Sequence, residues 1–442
     1  MELSSVSLSP SMQGLVDTSK KIYHDKLHDV KSKDAKQAWV VTAPGRVNLI
    51  GEHTDYTQGF VFPLAIEYST VVYGTGSLVI NKNAEEVSKA NLKFASATNP
   101  DKVEQVSIDV NTQPPKEAGS WTWYVAGTVA QYLMKDLPKQ GAVLDATFAI
   151  AGNVPLGSGL SSSASLEVAV AQFIECILGP EHAFSSEPPG ALPAKIRAIR
   201  CQKAENEWCQ SPCGIMDQYC SSAASSTQKG TLLCIDCRTN DFEVVQMKQD
   251  PDNPVALIVA NSAVTHSIGG GEYPIRVQQC KEATQILQKV HGDRIQTLRD
   301  ATVEDVLKCQ KQMDDVIYRR ARHVVTENAR VIATKTALEE GDWKIVGQQM
   351  NLSHLSMQKD YETSCEEVDI LVDLAQKYKG VYGSRLTGGG FGGCCVTLVA
   401  KENAKGLMEH LQKEYQAKVG KDCTPFETTP APGARVLAID TF

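Results

Sequence analysis

The hydrophobic pattern of the chain contains several strand-length segments. Trp39–Thr42 is a short run rich in aromatic and β-branched residues, and the Pro44-Gly45 dipeptide behind it predicts that this strand ends there. Further strands are predicted at Ser69–Tyr73, Ser77–Ile80, Ala146–Ile150, Leu232–Ile235, Val255–Ala260, Cys394–Val399 and Val436–Ile439.

Helical periodicity fills the segments between these strands. Apolar residues recur at three- and four-residue steps from Leu166 to Ile177, which predicts a helix that follows a Gly-rich turn. Ala194–Trp208 has no Gly or Pro and predicts another helix, and residues 278–380 are mostly helical in pattern. A last helix carries Leu407, Leu411 and Tyr415 on one face.

Strands and helices are therefore mixed without regular alternation, which favours an α+β fold over one doubly wound sheet. We expect two lobes with mixed sheets, flanking helices and an active site in the cleft between them. Residues 1–38 are polar and weakly periodic and predict an N-terminal extension with a helix. We place the N-terminal lobe at residues 39–240 and the C-terminal lobe at residues 241–442.

Composition excludes several classes of protein. The 442 residues are 42% hydrophobic and 22% charged, with a net charge of −8. An acidic chain has no overall electrostatic attraction for nucleic acid or an anionic membrane. We find no uninterrupted apolar segment of membrane-spanning length and no signal-peptide pattern, and we expect a cytoplasmic protein. The 13 cysteines are scattered without a CxxC pair, which predicts reduced thiols and no zinc site.

The segment at residues 157–163, the serine loop, has the sequence GSGLSSS between a predicted strand and a predicted helix. Glycines let the backbone approach a ligand closely, and the start of a helix offers free N–H groups to an anion. Its hydroxyls can reach a phosphate or a magnesium ion. An ordinary helix cap is the alternative, although one serine suffices for that.

A second glycine-rich segment, the glycine cluster (residues 388–393), has the sequence GGGFGG. It matches the dinucleotide fingerprint only formally, because a strand follows it and no helix does. A tight β-turn is one interpretation. Five glycines in six residues favour a backbone pressed against a ligand.

Three further clusters carry candidate chemistry. Arg46, Asn48, Glu52, His53, Asp55 and Tyr56 provide the alternating donors and acceptors that sugar hydroxyls need, whereas a metal site or a solvated turn is the alternative. Asp217, in Cys213–Gln218, is a candidate catalytic carboxylate or a helix cap. Glu205 is a candidate metal ligand or a solvated helix residue.

Taken together, these segments resemble the galactokinases, within the superfamily of galacto-, homoserine, mevalonate and phosphomevalonate kinases. APGRVNLIGEHTDY at residues 43–56 is similar to the galactokinase signature, and NVPLGSGLSSSASLEVA at 153–169 to the superfamily's nucleotide loop. CGIMDQ at 213–218 and LTGGGFGGC at 386–394 resemble further family motifs, as do HSIGGGEYPIR at 266–276 and RRARHVV at 319–325. The resemblance covers about residues 39–440.

The resemblance implies a role for each matching residue. Asp217 corresponds to the catalytic aspartate and Arg46 to the arginine beside it. The implied sugar-binding residues are Arg46, Glu52, His53, Thr54, Asp55, Gly214, Asp217 and Tyr273. The implied residues around the ATP phosphates are Gly157, Ser158, Gly159, Leu160, Ser161, Ser162 and Ser163.

Ser163 and Glu205 correspond to the magnesium ligands of the family. Trp121 falls where the family places an aromatic residue near adenine, although Trp123 stands where we expect a small polar residue. The cofactors implied are ATP and Mg²⁺, and we expect a monomer.

The activity implied is transfer of the γ-phosphoryl group of ATP to the C1 hydroxyl of α-D-galactose, which begins galactose use by the Leloir pathway. N-acetylgalactosamine or arabinose 1-kinases are alternatives, as is a non-catalytic galactose sensor. Tyr273 after Glu272 resembles the galactose type, and the uninterrupted Ser161–Ser165 run favours an enzyme over a sensor.

Overall fold

The protein is a mixed α+β structure, as the sequence pattern predicts. The computed structural model describes residues 8–27, 37–117, 119–187, 192–224, 231–248, 251–264 and 272–441. Residues 266–271 of the HSIGGGEYPIR motif lie outside these ranges, as do residues 1–7 and 28–36 of the predicted N-terminal extension.

Within these ranges the strands are β1 (Gln37–Asn48), β2 (Phe60–Val61), β3 (Pro63–Ile80), β4 (Lys89–Ser96), β5 (Asn99–Asp109), β6 (Ala142–Gly152), β7 (Thr231–Asp236), β8 (Asp241–Gln246), β9 (Val255–Asn261), β10 (Val381–Thr387), β11 (Cys394–Ala400), β12 (Thr424–Thr428) and β13 (Arg435–Thr441). The α-helices are α1 (Pro10–Ile22), α2 (Thr122–Asp136), α3 (Ser162–His182), α4 (Pro193–Trp208), α5 (Met216–Ala223), α6 (Glu272–His291), α7 (Val303–Lys308), α8 (Asp315–Glu340), α9 (Trp343–Ser356), α10 (Glu366–Gln376) and α11 (Ala404–Val419).

The strands form three sheets. The largest has the order β13-β1-β3-β6-β4-β5, the second has the order β10-β11-β9-β12, and β2, β7 and β8 form the third. The last strand of the described residues, β13, pairs antiparallel with the first, β1. The division into lobes at residue 240 stays a prediction.

Two strand predictions were wrong in their bounds. β1 continues through Pro44 and Gly45 to Asn48, with a shift in its pairing to β3 between Pro44 and Arg46. Proline is tolerated there because a bulge removes the need for a ladder hydrogen bond. The two strands predicted within residues 69–80 are parts of one long strand, β3, whose glycines at 74 and 76 pack against β6 and α3.

The first core lies between the six-stranded sheet and helices α2, α3 and α4. Val41, Val72, Phe94, Phe148 and Phe173 are among its fully buried members. Helix α3 is the only helix in the described residues that is long and apolar enough to cross a membrane. Most of it is buried inside the protein, where it packs against β1 and β3.

The opposite face of the same sheet is covered by the N-terminal segment. Met12, Val16 and Ile22 of α1, with Tyr23 and Leu27 of the following π-helical turn, pack on apolar residues of β1, β3, β4 and β6. Ser9 caps α1 by accepting a hydrogen bond from the Met12 N–H group. The extension predicted from the sequence therefore completes the packing of the sheet.

A second core joins the N-terminal and C-terminal halves of the chain. Leu49, Ile50 and Phe62 flank the polar turn (residues 51–58) and pack with residues of β9, β11, α8 and α9. The polar turn, the serine loop and the glycine cluster are therefore brought to the junction of the two halves.

Candidate active site

Asp217 lies at the centre of the predicted site. Its Oδ1 atom accepts hydrogen bonds from Arg46, from Nε at 2.8 Å and from Nη2 at 2.7 Å. The Ser161 hydroxyl donates to Oδ2 at 2.5 Å. Asp217 is the second residue of α5, whose N-cap is Ile215, so Asp217 is not the helix cap that was its alternative interpretation. About a quarter of its side chain remains exposed.

Arg46 is buried, and its guanidinium connects three parts of the site. Besides Asp217 it donates to the carbonyl oxygen of Gly159 in the serine loop. Its backbone N–H donates to the Leu160 carbonyl at 3.1 Å. Burial lowers the pKa of Arg46, but the negative charges of Asp217 and Glu52 together raise it above its usual value. Arg46 therefore stays a cation.

The serine loop leads into α3 through a left-handed backbone. Ser161 occupies the N-cap position at φ 62° and makes no side-chain capping bond, because its hydroxyl points to Asp217. The simple capped-helix interpretation is therefore wrong. Ser158 donates to the Pro155 carbonyl and the Leu160 side chain is fully buried, whereas Gly157 is exposed and Ser162 and Ser163 are partly exposed.

The glycine cluster packs against protein backbone. A Cβ atom at Gly388 would lie 2.7 Å from the Gly159 carbonyl oxygen, and one at Gly393 would lie 2.6 Å from that of Ser158. Larger residues would push the cluster and the serine loop apart. At these two positions the lack of a side chain serves contact between two loops, which differs from the ligand contact that the sequence suggested.

The polar turn is closed by its own hydrogen bonds. The Thr54 hydroxyl donates to the carbonyls of Gly51, at 2.9 Å, and Phe60, at 2.6 Å, and Thr54 is fully buried. Glu52 is also buried, and its Oε1 atom accepts the Gly388 N–H group at 2.8 Å. Burial raises the pKa of Glu52, and the cations of Arg385 and Arg46 partly offset this.

Two charged residues that sequence reasoning missed hold this turn in place. Glu327, on α8, accepts the N–H groups of Gly51 and Glu52 and the Ser353 hydroxyl through Oε1. Arg385, on β10, is fully buried and donates to the Asn48 carbonyl at 3.1 Å. A charged residue inside the otherwise uncharged strand Val381–Thr387 was the available signal for Arg385.

Asp55, Gly214 and Tyr273 meet beside Asp217. A Cβ atom at Gly214 would lie 1.8 Å from Oδ2 of Asp55, so a larger residue there would displace the Asp55 carboxylate. Burial and the nearby negative charge of Asp217 raise the pKa of Asp55 to about 7. Burial raises the pKa of Tyr273 as well, with a further contribution from Asp55. Asp55, Gly214 and Tyr273 together form what we call the polar wall. The negative charges of Asp55 and the adjacent Asp217 are only partly balanced by nearby cations.

His53 lies behind this wall. Its Nδ1 atom is 3.1 Å from the Tyr56 hydroxyl and its Nε2 atom is 3.2 Å from the Gly389 carbonyl oxygen. Burial lowers the pKa of His53 to about 3. The imidazole is therefore neutral at physiological pH.

Glu205 is buried on α4, which removes the solvated-helix interpretation. Its Oε2 atom accepts the Gln218 amide at 2.6 Å, and the Ser163 hydroxyl is near enough to offset part of the effect of burial on the pKa of Glu205. Burial and the charge of Asp217 raise the pKa of Glu205 to about 7. The same Gln218 amide donates to buried Glu167, whose Oε1 atom has no hydrogen-bond partner among the described residues.

This donor set fits a magnesium ion. Mg²⁺ is commonly held by one or two carboxylates together with substrate phosphates and water, and Ser163 and Glu205 meet at the start of α3. A divalent cation would also neutralise the carboxylates that surround Glu205. Three or more His, Cys, Asp or Glu residues arranged for a metal do not occur in the described part of the chain, so the protein alone does not form a complete cage.

Trp121 immediately precedes α2 and is about one third exposed. Its ring packs edge-to-face on Phe94 at 5.5 Å. One turn further along, Tyr124 lies near enough to Glu205 for that charge, after burial, to raise its pKa. Trp121 therefore lies at the end of α2 nearer to Glu205.

Family models match three segments of the chain. Residues 28–75 match the galactokinase galactose-binding signature, residues 124–225 the N-terminal domain of GHMP kinases and residues 334–417 their C-terminal domain. These segments contain the polar turn, the serine loop with Asp217, and the glycine cluster.

Comparisons over the whole chain agree. Galactokinase of Homo sapiens is 38% identical over 412 residues, which cover 92% of this chain and 94% of that protein. A galactokinase from Haemophilus influenzae is 39% identical over 405 residues, which cover 90% of this chain and 94% of that protein. The structure of Lactococcus lactis galactokinase complexed with galactose superposes with a TM-score of 0.79 at 27% identity, covering 96% of this chain and 99% of that one. A mevalonate kinase shares the fold alone, with a TM-score of 0.54 at 16% identity and coverage of 90% and 98%. The chain therefore belongs to the galactokinase family of the GHMP kinases.

Proposed function

We propose that this ATP-dependent sugar kinase transfers the γ-phosphoryl group of ATP to the C1 hydroxyl of α-D-galactose. The observation that carries the proposal is Asp217, which lies beside the start of α3 on one side and beside Asp55 and Gly214 on the other. A carboxylate in this position is within reach of both a phosphate group at the helix and a sugar at the polar turn.

The N-terminal end of α3 supports the phosphate half of the proposal. Its first N–H groups have no partner within the helix, and the helix dipole favours negative charge there. Ser162 and Ser163 present hydroxyls at the same end. We infer that this end binds the ATP phosphates and that Trp121 contacts the adenine.

The proposed reaction requires little covalent chemistry from Asp217. Phosphoryl transfer passes through a loose transition state, so most catalysis comes from positioning and charge stabilisation. Asp217 would accept the C1 hydroxyl proton through a carboxylate that Arg46 holds in place at Oδ1 and Ser161 at Oδ2. Arg46 would stabilise the carboxylate and the charge that develops on the phosphoryl oxygens.

Ser163 and Glu205 would hold the magnesium ion. When bound, Mg²⁺ neutralises phosphate oxygens and helps to orient them. The Gln218 amide holds Glu205 in place near Ser163. Cytoplasmic location and a monomeric state stay predictions from the sequence.

The proposed function is tested by ADP release with galactose, N-acetylgalactosamine, glucose and arabinose. Galactose should give the highest kcat/KM. Buried hydrogen-bonding groups of the protein that fit the hydroxyls of one sugar are left unpaired by a different sugar, which lowers its kcat/KM. Phosphorus NMR of the product should show phosphate on C1, and reactions without sugar give the background hydrolysis. A clear preference for another sugar would revise the substrate, and galactose binding without ADP release would identify a sensor.

The metal assignment predicts a specific loss in two variants. Ser163→Ala and Glu205→Gln should raise the Mg²⁺ concentration for half-maximal turnover by about tenfold or more, since even indirect partners of a metal have effects of this size. Galactose affinity measured by calorimetry should remain within about twofold of the parent. Glu207→Gln, an exposed residue on the same helix, serves as the control. Normal turnover of either variant at limiting magnesium would refute the assignment.

We expect the Asp55 carboxylate to lower the stability of the ligand-free protein at high pH and to contribute to sugar binding. Its folded-state pKa of about 7 lies above that of an unfolded aspartate, so the folded protein holds the proton more tightly and loses stability as pH rises from about 4 to 7. Asp55→Asn carries no charge at any pH. Without ligands it should therefore melt a few °C above the parent at pH 8, with little difference at pH 4, and its galactose KM should rise about tenfold.

The control for Asp55 is Asp422→Asn, which alters an exposed aspartate and should leave both quantities unchanged. Thermal unfolding at the two pH values measures the stability effect. An Asp55→Asn protein that melts below the parent at pH 8 would mean that the carboxylate is stabilised in the folded state, contrary to this account.

A further inference from the structure

Four side chains form a chain of hydrogen bonds behind the polar wall. The Tyr56 hydroxyl is 3.1 Å from Nδ1 of His53 and 2.6 Å from the Tyr361 hydroxyl, which is 3.1 Å from Sγ of Cys280. At the other end, Nε2 of His53 contacts the Gly389 carbonyl oxygen at 3.2 Å. Cys280 belongs to α6 and Tyr361 to the π-helical turn Met357–Tyr361, so three separate segments contribute.

The direction of each hydrogen bond in this chain is determined. The carbonyl of Gly389 can only accept, so Nε2 of the neutral His53 carries the hydrogen and Nδ1 is the acceptor. Tyr56 therefore donates to His53. Its oxygen then accepts from Tyr361, whose own oxygen accepts from the Cys280 thiol. Reversing any one of these bonds would leave two hydrogens or two lone pairs facing each other.

We propose that Tyr56 and Tyr361 are positioning residues for sugar recognition: with the Nε2–H group of His53 donated to the Gly389 carbonyl, their hydroxyls hold the polar turn, and with it the neighbouring Asp55, in place for the sugar. The proposal rests on the proposed function, because it concerns the turn that carries Asp55 in the predicted galactose site. Tyr56 acts directly on His53, and Tyr361 acts through Tyr56.

The effect of each tyrosine hydroxyl can be tested separately from the packing of its ring. The fully buried Tyr361 ring lies between His53, at 4.9 Å, and His323, at 4.3 Å. Its backbone carbonyl accepts Nε of Arg276 at 2.9 Å. A phenylalanine at 361 would keep these contacts and lose only the hydroxyl. Tyr56 likewise keeps its edge-to-face contact with Tyr273 when it loses the hydroxyl.

The test uses steady-state kinetics of Tyr56→Phe, Tyr361→Phe and the double variant, with galactose and ATP varied separately. Tyr56→Phe should raise the galactose KM by about tenfold, within the range for a buried hydrogen bond, and Tyr361→Phe by less. Both should leave kcat and the ATP KM within about twofold. The double variant should resemble Tyr56→Phe alone, because Tyr361 acts through Tyr56.

Tyr23→Phe is the matched control, since it removes another buried tyrosine hydroxyl, bonded to Thr75 on the far face of the sheet. It should alter no kinetic constant. If wild-type protein phosphorylates galactose but Tyr56→Phe leaves its KM unchanged, or raises the galactose and ATP KM values together, the positioning proposal fails and the proposed function stands. If wild-type protein neither binds nor phosphorylates galactose, the proposed function fails as well. Should Tyr361→Phe not fold, the partly exposed Tyr56 decides the question by itself.

Discussion

The ion pair between Arg46 and Asp217 is the interaction on which the rest of the site depends. Arg46 reaches Asp217 from the irregular stretch of β1 and also binds the Gly159 carbonyl, so one guanidinium connects a strand, the serine loop and α5. A buried charge is tolerated only when it is paired and hydrogen-bonded. Buried Arg46 therefore depends on its pairing with Asp217, and this pairing keeps the strand, the serine loop and α5 together.

Beyond this pair, the site contains more negative charge than the protein itself compensates. Burial and the negative charge of Asp217 raise the pKa values of Asp55 and Glu205 to about 7. By contrast, the buried Glu327 is well compensated: Arg330, Arg385 and Ser353 hold its pKa below its usual range despite burial. This difference in pKa distinguishes Glu327, which holds the polar turn in place, from Asp55 and Glu205, which we propose for ligand binding. A magnesium nucleotide and a sugar would supply the missing cation and hydroxyl donors.

Local pattern predicted much of the fold, and the resemblance to a family indicated the motif-bearing residues of the candidate site. The α+β class, helices α3 and α4 and several strands were predicted correctly, because apolar periodicity reports the buried face directly. The end of β1 at Pro44 was predicted wrongly, since the shift in pairing that accommodates the proline depends on β3. Arg385, Glu327 and Tyr361 were missed for a related reason. Their roles arise from contacts with residues hundreds of positions away, which no local pattern contains.

A double-mutant cycle on Arg46 and Asp217 tests the central claim most directly. Asp217→Asn keeps the shape of the side chain and should lower kcat by about 10²- to 10⁴-fold, as removal of a general base does. If the pair acts as a unit, Arg46→Gln combined with Asp217→Asn should lose far less than the product of the two single losses. Turnover near that of the parent in Asp217→Asn, or losses that simply multiply, would contradict the account.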